Sequence, residues 1–175
     1  MEHPDLFKLF EEPKTASKAP RRPDLQPREW KVTALRECPV PESMMKMEYA
    51  EDGVRYWETH IAKGDHYNPD CESTAVLILN TRLRIRGHYL VSMGALNQTV
   101  AEPREVFRIA VMAAAHCVVL MHNHPSGEPD PSGADRRITS VLRSAGSILR
   151  IELIDHIITG GGGRYYSFRE AGLLG

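Results

Sequence analysis

Two short apolar runs constrain this chain most. Residues 73–79 (Ser-Thr-Ala-Val-Leu-Ile-Leu) and 117–121 (Cys-Val-Val-Leu-Met) carry almost no polar side chain and contain β-branched residues. Runs of this length and composition read as buried strands rather than helices. A sheet with such strands at its centre needs helices to cover it, which places the chain in the α/β class.

The rest of the pattern supplies the layers. Residues 50–62 read as a helix with Val54, Trp57 and Ile61 on one stripe, ended by Gly64. After the strand at 73–79, Asn80-Thr81-Arg82 is a turn, and residues 84–93 return as the second strand of a hairpin. A shorter third strand is expected at 95–101. Pro103 fits the first turn of a helix running to about His116, with Val106, Ile109, Ala110 and Ala113 inward. A second helix spans 133–145, with Ile138, Val141, Leu142 and Ala145 buried and Gly146 as its C-cap. Strands are expected at 148–159 and 165–168, joined by the glycine run 160–163, and Ser167 with Glu170 caps a terminal helical turn. The order β-β-β-α-β-α-β-β gives one mixed sheet flanked by helices, an α/β or α+β sandwich.

The apolar run at 117–121 leads directly into His122-Asn123-His124-Pro125-Ser126-Gly127. Alternate residues of a strand share a face, so His122 and His124 point one way and Asn123 the other. Pro125 cannot donate to a sheet ladder and ends the strand. After a loop rich in Pro, Gly and Asp, Ser132 stands at a helix N-cap with Asp135 three residues on. Capping alone accounts for that Ser-x-x-Asp pair. Two histidines closing an apolar strand are harder to explain by packing, because buried imidazoles need partners. Two imidazoles and a carboxylate at a strand end and a helix start form a ligand set suited to zinc, with a fourth position left for water. The same donors also make a facial triad for non-haem iron. The contiguous His-Asn-His is not the nuclease signature of those letters, whose residues are spread over a hairpin and a helix.

His-x-His, ten residues, then Asp, with Ser three before it, resembles the JAMM motif of MPN-type metal-dependent isopeptidases. The longer string His-Asn-His-Pro-Ser-Gly-x-Pro-x-Pro-Ser-x-x-Asp is similar to that of the RadC family of JAB-domain proteins. Pro103-Arg104-Glu105-Val106-Phe107 and Asp155-His156-Ile157-Ile158 match it as well. The resemblance covers roughly residues 50–175. It implies an MPN/JAB-like sheet flanked by helices, one zinc ion held by His122, His124 and Asp135, and a water that attacks an amide carbonyl. It also implies a glutamate base at the start of the first central strand, where Glu72 stands, and assigns Ser132 to the oxyanion. Glu105 is the rival base, although its place in a first helical turn also suits the helix dipole. His88, His116 and His156 are expected to be structural.

The resemblance leaves two classes of function: a zinc metallopeptidase or isopeptidase acting on a protein or peptide, and a DNA-associated repair accessory. A net charge of -1 offers no overall field for nucleic acid. No Gly-rich helix-hairpin-helix pattern precedes the domain, and the 160–163 run is followed by no Lys-Ser/Thr, so it is not a P-loop. Cys38, Cys71 and Cys117 lack Cys-x-x-Cys spacing and suggest reduced thiols in the cytoplasm. No apolar run reaches membrane-span length, and the acidic, proline-broken start does not resemble a signal peptide. Residues 1–30 are expected to form a flexible segment, with a short apolar helix at 5–12 ahead of a Pro/Lys/Arg-rich linker. A strand is expected at 30–35, an N-terminal extension at 31–49, and the domain proper at 50–175.

Overall fold

The computed structural model describes residues 33, 37–38, 46–65, 67–93 and 101–174. The expected segment 1–30 lies outside these residues. So, almost entirely, do the expected strands at 30–35 and 95–101.

Five strands form one mixed sheet in the order β2-β1-β3-β4-β5. β1 is Ser73–Leu79, β2 Ile85–Met93, β3 Cys117–Asn123, β4 Glu152–Thr159 and β5 Tyr165–Ser167. β1 runs antiparallel to both β2 and β3. β3 and β4 are parallel, and β5 returns antiparallel to β4. Every residue of β1 and of β3 is buried, as their apolar sequences require.

Helices cover both faces. α1, Ala50–Tyr56, continues through a π-helical turn at Trp57–Ile61. It opens where the Asp52 carboxylate accepts the backbone N–H groups of Glu48 and Tyr49, both at 3.0 Å. Its Val54, Tyr56, Trp57 and Ile61 pack on Ala75, Leu77, Val119, Met121 and Ile157. α2, Pro103–Met112, and α3, Gly133–Leu149, cover the opposite face. There Val106, Phe107, Ala110 and Leu142 meet Val76, Ile78, Val118, Leu120 and Leu153. No helix among the described residues is long and apolar enough to cross a membrane.

Two helix ends differ from expectation. α2 stops at Met112 rather than near His116, and the chain leaves it through Ala114 at φ 49°. α3 runs past Gly146 to Leu149 and ends on Arg150 in the left-handed region, φ 54°. Gly146 is therefore an interior helical residue. A side chain there would come within 2.5 Å of the Ile151 carbonyl oxygen and 3.2 Å of the Phe107 ring. The glycine serves close packing of the helix on the sheet, not termination. Residues 148–149 thus belong to α3, and β4 begins at Glu152.

The connection from β3 through α3 to the parallel strand β4 decides where chemistry can occur. Ligand sites of α/β sheets gather outside the carboxyl ends of parallel strands. In this fold that place is occupied by the end of β3, the 124–132 loop and the first turn of α3.

Candidate metal centre

β3 delivers His122 onto the α3 face of the sheet, and His124 follows just beyond the last ladder pair. Their Nε2 atoms are 3.1 Å apart. Asp135 enters from the first turn of α3, with Oδ1 3.4 Å from His122 Nε2 and Oδ2 3.7 Å from His124 Nε2. One ligand atom from each of the three residues fits within 4.8 Å of the others. His122 is 3% exposed and Asp135 8%, so one edge of the group is buried while His124 borders solvent.

The hydrogen bonds around the histidines determine which nitrogens face inward. His124 Nδ1 lies 2.8 Å from the Glu128 carbonyl oxygen, which can only accept. His124 Nδ1 therefore carries the hydrogen, and in the neutral ring Nε2 carries a lone pair. His122 Nδ1 is engaged by His156 Nε2 at 2.9 Å. Both remote nitrogens are thus tied to protein partners, and both Nε2 atoms turn toward the Asp135 carboxylate.

Electrostatics follow from this crowding. Burial pushes His122 down to about 4, against a smaller upward pull from Asp135. Hydrogen bonding to the Asp135 carboxylate raises His124 above its usual value, with Glu72 adding a smaller pull in the same direction. Burial would raise Asp135, but hydrogen bonds from His124 and Ser132 outweigh it and hold the carboxyl well below the usual range. Burial also keeps His156 far below the normal imidazole value, so it stays neutral.

Ser132 caps α3. Its Oγ accepts the Asp135 N–H at 3.2 Å while Asp135 Oδ2 accepts the Ser132 N–H at 2.7 Å. This reciprocal capping box orients the carboxylate that reaches the histidines, so the cap and the site are one construction. Ser132 Oγ acts there as an acceptor and keeps its own hydrogen to give.

Glu72 directly precedes β1 and acts electrostatically on His124. The rival Glu105 sits in the first turn of α2 and pairs with Arg108 and with Arg104. It is not among the groups that shift His122, His124 or Asp135. His88 bonds the Tyr56 hydroxyl at 3.0 Å, and His116 is exposed just before β3; neither joins the trio. His156, expected to make a structural hydrogen bond, makes one to His122 and is not part of the trio. Asn123 faces away from the histidines, and its amide anchors the backbone on either side of Glu72. Its place between two histidines in the motif was the available signal.

A groove of about 210 Å³ is lined by Trp57, Tyr67, His124, Pro125, Gly127 and Arg164, and His124 is the member of the trio that reaches it.

A family profile described as "RadC-like JAB domain" matches residues 47–173. The chain belongs to this family. A UPF0758 protein of Chlorobaculum parvum is 40% identical over 129 residues, covering 74% of this chain and 55% of that protein. Those of Pelodictyon phaeoclathratiforme and Symbiobacterium thermophilum are each 48% identical over 103 residues, or 59% of this chain. The chain spans about half the length of the curated relatives it matches. The five-stranded mixed sheet with helices on both faces is the α/β architecture expected of a JAB domain.

Proposed function

We propose that this RadC-like JAB domain is a JAMM-type metallopeptidase or isopeptidase that hydrolyses an amide bond in a protein or peptide, with one zinc ion held by His122, His124 and Asp135. The observation that carries the reading is the convergence of three side chains that can each offer one metal-ligand atom. With both Nδ1 atoms engaged by protein partners, both Nε2 atoms and the Asp135 carboxylate turn toward one another, with the three ligand atoms all within 4.8 Å. A proton on His124 relieves their mutual repulsion in the metal-free protein, a metal ion can take its place, and two nitrogens with one oxygen suit zinc with an open position. When bound, zinc polarises a carbonyl and lowers the pKa of a coordinated water.

The remaining chemistry falls to the chain's own residues. Glu72, close enough to raise the His124 pKa, takes the proton from the attacking water and returns it to the leaving amine. Ser132 donates its hydroxyl hydrogen to the carbonyl oxygen as negative charge develops there. The groove beside His124 holds the chain on one side of the scissile bond.

Metal analysis of protein purified without added metal tests the site first. Zinc near one equivalent is expected, and iron in its place would move the reading to a facial-triad enzyme. His122→Ala with His124→Ala should abolish bound metal with the fold retained; full zinc occupancy in that double variant defeats the assignment. A peptide library and a search for new amino termini then supply the substrate. Absence of any cleavage by zinc-loaded protein, with the double variant as control, would remove the peptidase reading.

A further inference from the structure

We propose that Thr139 and His156 are positioning residues that set the tautomer of His122, so that its Nε2 faces His124 and Asp135 as a lone pair and never as an N–H. The inference deepens the metal-centre reading and rests on it for its purpose, though not for its geometry.

The proton order can be followed from one fixed end. Thr139 Oγ1 lies 2.5 Å from the Asp135 backbone carbonyl oxygen and 2.6 Å from His156 Nδ1. Two oxygens that close need a hydrogen between them, and a carbonyl has none, so the Thr139 hydroxyl donates to Asp135. Its only hydrogen is then spent, and Thr139 Oγ1 must accept from His156 Nδ1–H. A neutral His156 protonated on Nδ1 presents a lone pair on Nε2. That lone pair accepts from His122 Nδ1 at 2.9 Å. Neutral His122 with its hydrogen on Nδ1 has its lone pair on Nε2, the atom 3.4 Å from Asp135 Oδ1. Each step follows from the one before, and the direction cannot reverse while a carbonyl ends the chain.

The surroundings keep the relay intact. Thr139 is 3% exposed, His156 0% and His122 3%, which leaves no place for a water to substitute as donor or acceptor. His156 stacks on Phe168 with ring centroids 4.8 Å apart and planes 10° from parallel, which fixes its ring orientation. The relay begins on the backbone of Asp135 and ends facing the Asp135 side chain, so the first turn of α3 both supplies a ligand and dictates the state of another. His124 reaches the same tautomer in one step through the Glu128 carbonyl. His122 lies deeper, with β4 beside it, and needs two intermediaries. Metal-binding histidines generally have the remote N–H held in this way, and losing that partner weakens metal binding on the order of 10- to 100-fold.

The test compares the full chain with Thr139→Val, which keeps shape and removes the hydroxyl, and Thr139→Ser, which keeps the hydroxyl. Long-range ¹H–¹⁵N correlation spectra of the metal-free proteins read which ring nitrogen of each histidine is protonated. Wild type and Thr139→Ser should show Nδ1–H at both His122 and His156. Thr139→Val should show Nε2–H at His122, because His156 is then free to donate, and zinc affinity by chelator competition should fall on the order of 10- to 100-fold. His156→Leu should weaken zinc similarly, and Thr139→Val decides alone if that variant fails to fold. Nε2–H at His122 in the metal-free wild type overturns the proposal, as does a Thr139→Val protein with unchanged tautomers and affinity. Nδ1–H at both rings in a protein that binds no zinc leaves the relay standing and removes the metal reading instead.

Discussion

Asn123 extends the β1–β3 ladder with its side chain: its Oδ1 accepts the Ser73 N–H at 2.9 Å, and its Nδ2 donates to the Cys71 carbonyl at 3.1 Å. The last backbone pair of that ladder is Thr74 with His122. One amide thus pins the residues before and after Glu72 and fixes where that carboxylate leaves the sheet. Asn123→Ala should leave the buried Ser73 N–H without a partner, at a cost of about 1–3 kcal/mol in denaturant unfolding. Zinc content should be unchanged while turnover drops, because only Glu72 loses its support. Asn123→Asp, which keeps the acceptor to Ser73 and loses the donor, should fall between. Loss of zinc in Asn123→Ala would show that the amide supports His122 or His124 instead.

Replacement of the two candidate bases separates them. Glu72→Gln keeps size and removes the base, so zinc should remain and turnover fall by roughly a hundredfold or more. Glu105→Gln should cost little, since its carboxylate serves ion pairs along α2. The opposite outcome would make Glu105 the base. Ser132→Ala should lose on the order of a hundredfold from a missing oxyanion donor, with about 1 kcal/mol of stability from the missing cap.

The central strands and the His122–His124–Asp135 cluster were legible in the sequence for the same reason. Uninterrupted apolar runs and an alternating His-x-His are local patterns, and β1 and β3 begin where those runs begin. The capping spacing of Ser132 and Asp135 is local too, and the structure forms that capping box while turning the Asp135 carboxylate toward the two histidines. What stayed hidden depends on register and close approach. His156 reaches His122 only because β3 and β4 pair in parallel with a shift between Val118 and Val119. Gly146 read as a helix stop because a lone glycine gives no sign of the carbonyl packed against it. Arg150 carries no mark of the left-handed turn it makes.

Acid should destabilise the metal-free protein through His122. Its folded value, about 4, lies below the 6.5 of a free imidazole, so between those limits the unfolded chain holds a proton that the folded chain does not. Stability therefore falls as pH drops through that window, by up to roughly 3 kcal/mol for this group. His156, also lowered by burial, acts in the same direction. His124 acts oppositely: its raised value adds stability below about 6.5 that fades as pH rises through the folded value. Asp135, held low, loses its contribution only in more acidic solution. Unfolding free energies of metal-free protein from pH 7 to 4.5 should decline, and His122→Gln should flatten the decline. An unchanged slope in that variant would contradict the assignment. Zinc affinity should also weaken below the raised His124 value, because proton and metal compete for Nε2.

Gly160 meets the loop that holds His124. Its backbone is extended, φ -105° and ψ -171°, so alanine is allowed there by conformation. Space forbids it: a Cβ would sit 2.5 Å from the Gly127 carbonyl oxygen and 3.1 Å from Pro129 Cδ. Gly127 accepts the Gly161 N–H and donates its own N–H to the His124 carbonyl, so displacing it moves the turn between His124 and Glu128. The Glu128 carbonyl is what anchors His124 Nδ1 at 2.8 Å. Gly160→Ala should therefore lower zinc affinity by about tenfold or more, together with about 1–3 kcal/mol of stability from overpacking. Gly161→Ala is the matched control, because its Cβ would find only the Gly127 Cα at 3.8 Å, an ordinary contact. Chelator competition on the two variants reads the difference. Equal zinc affinities would mean that the 124–128 turn can shift without disturbing His124.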